Sequence, residues 1–312
     1  MTPPSAPVRA LAAAGALGGG ALFLALAPLN YVRQGCPAAG AVLALTALPL
    51  VLFLAALAAA PVGLQRILSR RTRLDLGDPG HVGAAVVLAS AIFLALGWGG
   101  LASGALTVES RLGPCGLADE PATPTPDGLA TGIVLSFALF TLPIVLYVGV
   151  VHGLGPAGTF RALGLRSEDA GRALALGAGL AFGFLVALAL VVAAVSPWLP
   201  ESVLENEQAL AIARSVTLPV ALLLAVGSGL GEELFFRGFL QPRIGLLATS
   251  VVFSLAHLNY GSVSEVVVVF VLSLALGLAY RLTGNLWTPV AAHFTFNFVQ
   301  LLIGMYAPDP GA

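Results

Sequence analysis

The sequence predicts an all-α protein, a polytopic transmembrane helical bundle of about eight to nine membrane helices. Three observations predict it. The 312 residues are 58% hydrophobic and only 9% charged, with a mean hydropathy of +0.97, whereas a soluble chain of this size carries roughly a quarter charged residues. The apolar residues gather into runs near the length of about 20 residues that a spanning helix needs. Arginine-rich loops alternate with acidic ones between those runs, as they do when a chain crosses a bilayer repeatedly. A water-soluble enzyme is excluded. A nucleic-acid partner is excluded too, because the net charge is -1 and the 14 basic residues, all Arg, form no basic footprint.

About nine candidate segments follow in order. The first, near 10–29, reads as a retained helix rather than a signal peptide: its apolar run is long, and Pro28 follows the small-residue site at Leu26-Ala27. The second, near 38–63, leads into Arg66, Arg70, Arg71 and Arg73. The third, near 82–106, leads into an acidic, Pro-rich loop with Glu109, Asp119, Glu120 and Asp127. The fourth, near 128–153, is followed by Arg161, Arg166 and Arg172, and the fifth, near 172–196, by Glu201, Glu205 and Glu207 against Arg214. The sixth covers about 217–242. The seventh and eighth, near 244–258 and 265–282, are short, so a re-entrant path is an option there. The ninth covers about 285–306. The positive-inside rule places the N-terminus, the Arg-rich loops and the end of the sixth segment in the cytoplasm; the side of the C-terminus depends on whether the seventh segment crosses.

Two cysteines, Cys36 and Cys115, are too few for a disulfide scaffold or a zinc ribbon. Both fall on the outer side, where a disulfide and two free thiols are each allowed. Small-residue pairs at Gly15/Gly19, Gly100/Gly104, Gly179/Gly183 and Gly227/Gly231 offer close helix approach.

Polar residues inside membrane segments are the informative ones, since each charge at the bilayer centre costs about 2.5–3.5 kcal/mol on insertion scales. They concentrate in the last third of the chain. The sixth segment reads Gly227-Ser-Gly-Leu-Gly-Glu232-Glu233-Leu-Phe-Phe-Arg237-Gly-Phe-Leu240. Glu233 and Arg237 are four apart with the acid first, so they share a face and neutralise each other. Glu232 is rotated about 100° from its neighbour and has no partner in its own helix. Phe253 and His257 lie one turn apart on the seventh segment; His293 and Asn297 do so on the ninth. Each alone is compatible with a hydrogen-bonded core residue; together on three segments they point to a site. His81 and His152 read as interfacial, Glu265 as a charge at a helix N-terminus, and Trp98, Trp198 and Trp287 as interface residues.

This set, Glu232-Glu233-x-x-x-Arg237, Phe253-x-x-x-His257 and His293-x-x-x-Asn297, resembles the CPBP family, the CAAX-protease and bacteriocin-processing group of intramembrane peptidases, which includes lysostaphin-resistance-like proteins. The resemblance covers 217–301, with 1–216 as further membrane helices outside it and 302–312 as a tail. Few residues follow the third motif, and a further helix that some relatives carry is not expected here. The resemblance implies a membrane endopeptidase; the composition suggests a bacterial source, and the segment pattern a multi-pass protein of the cell membrane with its cavity opening toward the cytoplasm. The resemblance also implies that Glu232 and His257 activate water, His293 and Asn297 donate to the oxyanion, and Glu233 with Arg237 hold the site in place. The partners implied are the lipid bilayer and a peptide or protein substrate, lipidated or not. No cofactor is expected. The alternative is catalytic zinc on Glu232, His257 and His293, although no His-Glu-x-x-His run is present. A transporter and a non-catalytic scaffold or immunity protein are the remaining alternatives.

Overall fold

The computed structural model describes residues 125–199, 207–257 and 263–306. The three segments before residue 107, both cysteines, His81, Trp98, the Arg66–Arg73 loop and the glycine pairs at 15/19 and 100/104 lie outside them. The described residues are helical without strands: α1 (Pro126–His152), α2 (Pro156–Ala162), α3 (Ala170–Val195), α4 (Glu207–Ser215), α5 (Leu218–Glu233), a π-helical segment (Leu234–Leu240), α6 (Gln241–Ile244), α7 (Leu246–Leu255), α8 (Val263–Thr283) and α9 (Trp287–Tyr306). Among the described residues, three helical stretches are long and apolar enough to cross a membrane: Ala170–Val195, the continuous Leu218–Ile244 and Ser264–Thr283.

The long helices follow the predicted segments because their interiors are Leu, Ala, Val and Phe, and breakers sit at their edges. Pro219 stands in the first turn of α5, where the missing N–H is harmless. Gly245, at φ 86°, breaks the chain between α6 and α7 in a backbone conformation that side chains disfavour. The loops after the fourth and fifth segments each contain a short helix, α2 and α4. Arg214 lies in the last turn of α4, where it complements the helix dipole.

Packing is built on small residues, as membrane helices require. Helix α3 buries one stripe, Ala173, Gly177 and Ala181, and leaves Leu174, Phe182, Val186, Leu190 and Val191 exposed. A Cβ on Gly177 would collide with the Thr288 carbonyl and the Ala291 side chain, so α3 and α9 touch backbone to backbone there. The contact stripe is this one, not Gly179/Gly183, whose Cβ positions meet nothing. Above it Ala181, Leu272, Leu276, Ala292 and Phe296 join α3, α8 and α9 in one core. The Gly227/Gly231 pair does pack a helix: Ile133 lies against Gly227, and Phe137 and Thr141 of α1 against Gly231.

The loops fix which ends lie together. Leu286 N–H donates to Gly164 O at 2.8 Å, and Asn285 Nδ2 donates to Arg166 O and Glu168 O at 3.2 and 3.1 Å. The α8–α9 turn therefore sits at the same end as the α2–α3 loop. At the opposite end Gly304 of α9 meets Ala213 of α4, next to the start of α5. Helix α7 has 10 residues, about 15 Å of rise, so it covers about half of a bilayer core. His257 follows just after its end and lies beside Glu232 of α5.

Candidate active site

The sixth segment carries its three ionisable groups through a change of helix type. It runs as α-helix to Glu233 and then as a seven-residue π segment in which Leu234–Leu240 are all buried. A π turn inside an α-helix shifts the side chains beyond it and is frequent at functional sites. The helix thus does not stop at Gly231; it carries Glu232, Glu233 and Arg237 into the bundle.

Glu233 and Arg237 are fully buried and joined at 2.8 Å, Nη1 donating to Oε1. Arg237 Nη2 donates to Ser273 Oγ at 2.9 Å and Ser273 O at 3.2 Å, tying the π segment to α8. Its guanidinium lies 4.5 Å from the centre of the Phe253 ring, a cation–π contact with α7. The same Glu233 Oε1 accepts from His293 Nδ1 at 2.9 Å, which ties it to α9. One buried ion pair thus holds three neighbouring elements.

Phe253 is the ring around which these groups collect. It is buried, with its centroid 4.7 Å from that of His257 and 5.8 Å from that of His293, the latter edge-on. Phe236 closes on it at 4.8 Å.

Glu232 and His257 form a different kind of pair. His257 Nδ1 lies 2.7 Å from the Phe253 carbonyl, so it must carry the hydrogen, and in the neutral ring Nε2 carries the lone pair. Nε2 faces Glu232 Oε2 at 3.9 Å, too far for a direct hydrogen bond. Oε2 is buried and has no hydrogen-bond partner, while the Glu232 side chain as a whole is 29% exposed. Two acceptors therefore face each other across a gap that a water can bridge. A water oxygen about 2.8 Å from each would see them about 90° apart, an angle its two O–H bonds accommodate.

On α9, Asn297 Nδ2 donates to Ser228 Oγ at 2.9 Å, linking α9 to α5. Gly229 allows it: a Cβ there would lie 3.0 Å from Phe294 N and 3.2 Å from Phe294 Cα. Gly227, Gly229 and Gly231 are thus occupied by neighbouring helices.

All six predicted site residues lie on α5, the π segment, α7's C-terminal end and α9. Contacts link Glu232 to His257, Phe253 to both His257 and His293, and Glu233 to both Arg237 and His293. Sequence reasoning missed Ser273 and Ser228. Their signal was a lone small hydroxyl in an apolar run, spaced to face a charged or amide partner. His152 is exposed at the end of α1. Among the described residues no three of His, Cys, Asp and Glu come together as a metal-ligand set; His293 instead gives its Nδ1 to Glu233.

Comparison with known proteins bears on the same stretch. Residues 214–299 match the family described as type II CAAX prenyl endopeptidase, Rce1-like. The likeness to that family is confined to this region. The matched region contains all three motifs and all six site residues. A second similarity is to the uncharacterized protein YpbD of Bacillus subtilis (strain 168), 33% identical over 124 residues, which are 38% of this chain. That match spans 65% of the relative's length. No solved structure matches the chain.

Proposed function

We propose that the chain is an intramembrane endopeptidase whose Rce1-like region, 214–299, is the catalytic core. The observation that carries the reading is the 3.9 Å gap between Glu232 Oε2 and His257 Nε2. Both atoms are acceptors, so a water between them donates a hydrogen to each and keeps a lone pair for attack on a peptide carbonyl. As the water adds, the pair takes its proton, and the carbonyl oxygen becomes an oxyanion.

Two groups suit that oxyanion. Asn297 has a second amide N–H beyond the one given to Ser228. His293, with Nδ1 on Glu233, has Nε2 left to face substrate, and Nε2 is a donor in the doubly protonated ring. Donors of this kind, fixed before the reaction, usually contribute most to acyl transfer. Glu233 and Arg237 hold the scaffold. Collapse of the tetrahedral species returns the proton to the leaving amine.

The substrate class proposed is a peptide or membrane-associated protein. A lipidated C-terminus and a secreted peptide in maturation are both compatible with a site inside an apolar helical bundle. The zinc version of the enzyme uses the same side chains and differs in its response to chelators. A peptide-library digest with purified, detergent-solubilised protein tests the reading. Cleavage by the wild type and none by His257→Ala is the expected result, with the cut sites defining the substrate. Equal cleavage by both proteins would contradict it.

A further inference from the structure

Ser228 is a polar residue in the apolar run of α5, one turn before Glu232, and it is buried. Its hydroxyl has one hydrogen, which goes to the Leu224 carbonyl at 2.8 Å, with Ala225 O at 3.4 Å. With that hydrogen committed to its own helix, Oγ presents lone pairs outward. The Asn297 amide meets them with Nδ2 at 2.9 Å. An oxygen turned toward Ser228 would find no donor, so this bond sets which way the amide faces. The close approach of Gly229 to the Phe294 backbone brings α5 and α9 into the register that lets the two side chains meet.

We propose that Ser228 is a positioning residue: by accepting one N–H of Asn297 it holds the amide so that its other N–H points at the developing oxyanion. The proposal deepens the endopeptidase reading and rests on it. Ser228 touches neither substrate nor water; it acts through Asn297 alone. A freely rotating amide donates in only part of its orientations, whereas a held one is ready before the carbonyl arrives.

The test is a double-mutant cycle on cleavage of a peptide substrate, together with the nitrogen-15 resonances of the Asn297 side-chain amide. Ser228→Ala is expected to lower kcat by about 5- to 10-fold, the size of one lost hydrogen bond, with KM unchanged. Asn297→Ala is expected to lower kcat by about 10²- to 10³-fold. In the Asn297→Ala background, Ser228→Ala is expected to add nothing. Ser228→Thr, which keeps the hydroxyl, is expected to restore kcat. The Asn297 amide resonances are expected to shift in Ser228→Ala and to stay in place in Ser228→Thr. Equal losses in both backgrounds, a change confined to KM, or unmoved amide resonances would overturn the proposal. If Ser228→Ala does not fold, Ser228→Cys gives the same readouts, because it keeps the volume and weakens the acceptor. Absence of wild-type cleavage would count against the endopeptidase reading, and the resonances would still decide whether Ser228 holds Asn297.

Discussion

Replacing Arg237 by Met should be among the most damaging single changes in the described bundle. Arg237 is fully buried. The change removes its bond to Glu233 at 2.8 Å, both bonds to Ser273 and its position over the Phe253 ring. It leaves the Glu233 carboxylate buried with His293 as its remaining hydrogen-bond partner. Breaking a buried pair from one side costs about 3–5 kcal/mol, most of it for the stranded charge. His293 keeps its hydrogen bond to the stranded carboxylate, so the lower end of that range is the expectation. Glu233→Gln should cost a similar amount by stranding the guanidinium. The double variant, Glu233→Gln with Arg237→Met, strands neither charge and should be more stable than the sum of the singles by about 2 kcal/mol. Unfolding of detergent-solubilised protein by graded addition of denaturing detergent measures all four proteins. Strict additivity, or a loss below about 1 kcal/mol for Arg237→Met, would refute the reasoning.

Two further outcomes follow from the packing. Gly177→Val should destabilise by about 1–3 kcal/mol, since its side chain meets the α9 backbone at Thr288 and Ala292; thermal unfolding compares it with Gly179→Val, whose site is open and which should be near neutral. Phe253→Leu removes the ring shared by Arg237, His257 and His293; kcat should fall by about 10- to 100-fold with KM little changed, measured on the same peptide substrate.

Much of this site can be read in the residues alone, because helical periodicity converts spacing into geometry. Glu233 and Arg237, four apart, are a pair; Glu232, one residue before, faces elsewhere and meets His257 from another helix. The long helices lie within about two residues of the predicted segments, since leucine-rich runs bounded by Pro, Gly and charges leave little choice. The remainder depends on contacts between segments, which spacing does not encode. The π segment, Leu234–Leu240, is one such feature, buried throughout. The acceptors Ser273 and Ser228 become visible only once α8 lies beside Arg237 and α5 beside Asn297. The bond of His293 to Glu233 was likewise hidden, and it decides which ring nitrogen is left for substrate. Glycine spacing alone does not single out the packed stripe of α3, which is Ala173, Gly177 and Ala181 rather than Gly179/Gly183.

The central claim is that Glu232 works with His257 on a water, and Glu232→Gln tests it most directly. The substitution keeps the shape of the side chain and replaces the basic oxygen by an amide. Single-turnover cleavage of a peptide substrate by wild type and variant, each with and without a zinc chelator, separates the readings. The variant is expected to lose cleavage by about 10²-fold or more, the lower range for a general base, and the wild type is expected to be unaffected by the chelator. Cleavage that survives Glu232→Gln, or that the chelator abolishes and added zinc restores, would contradict it.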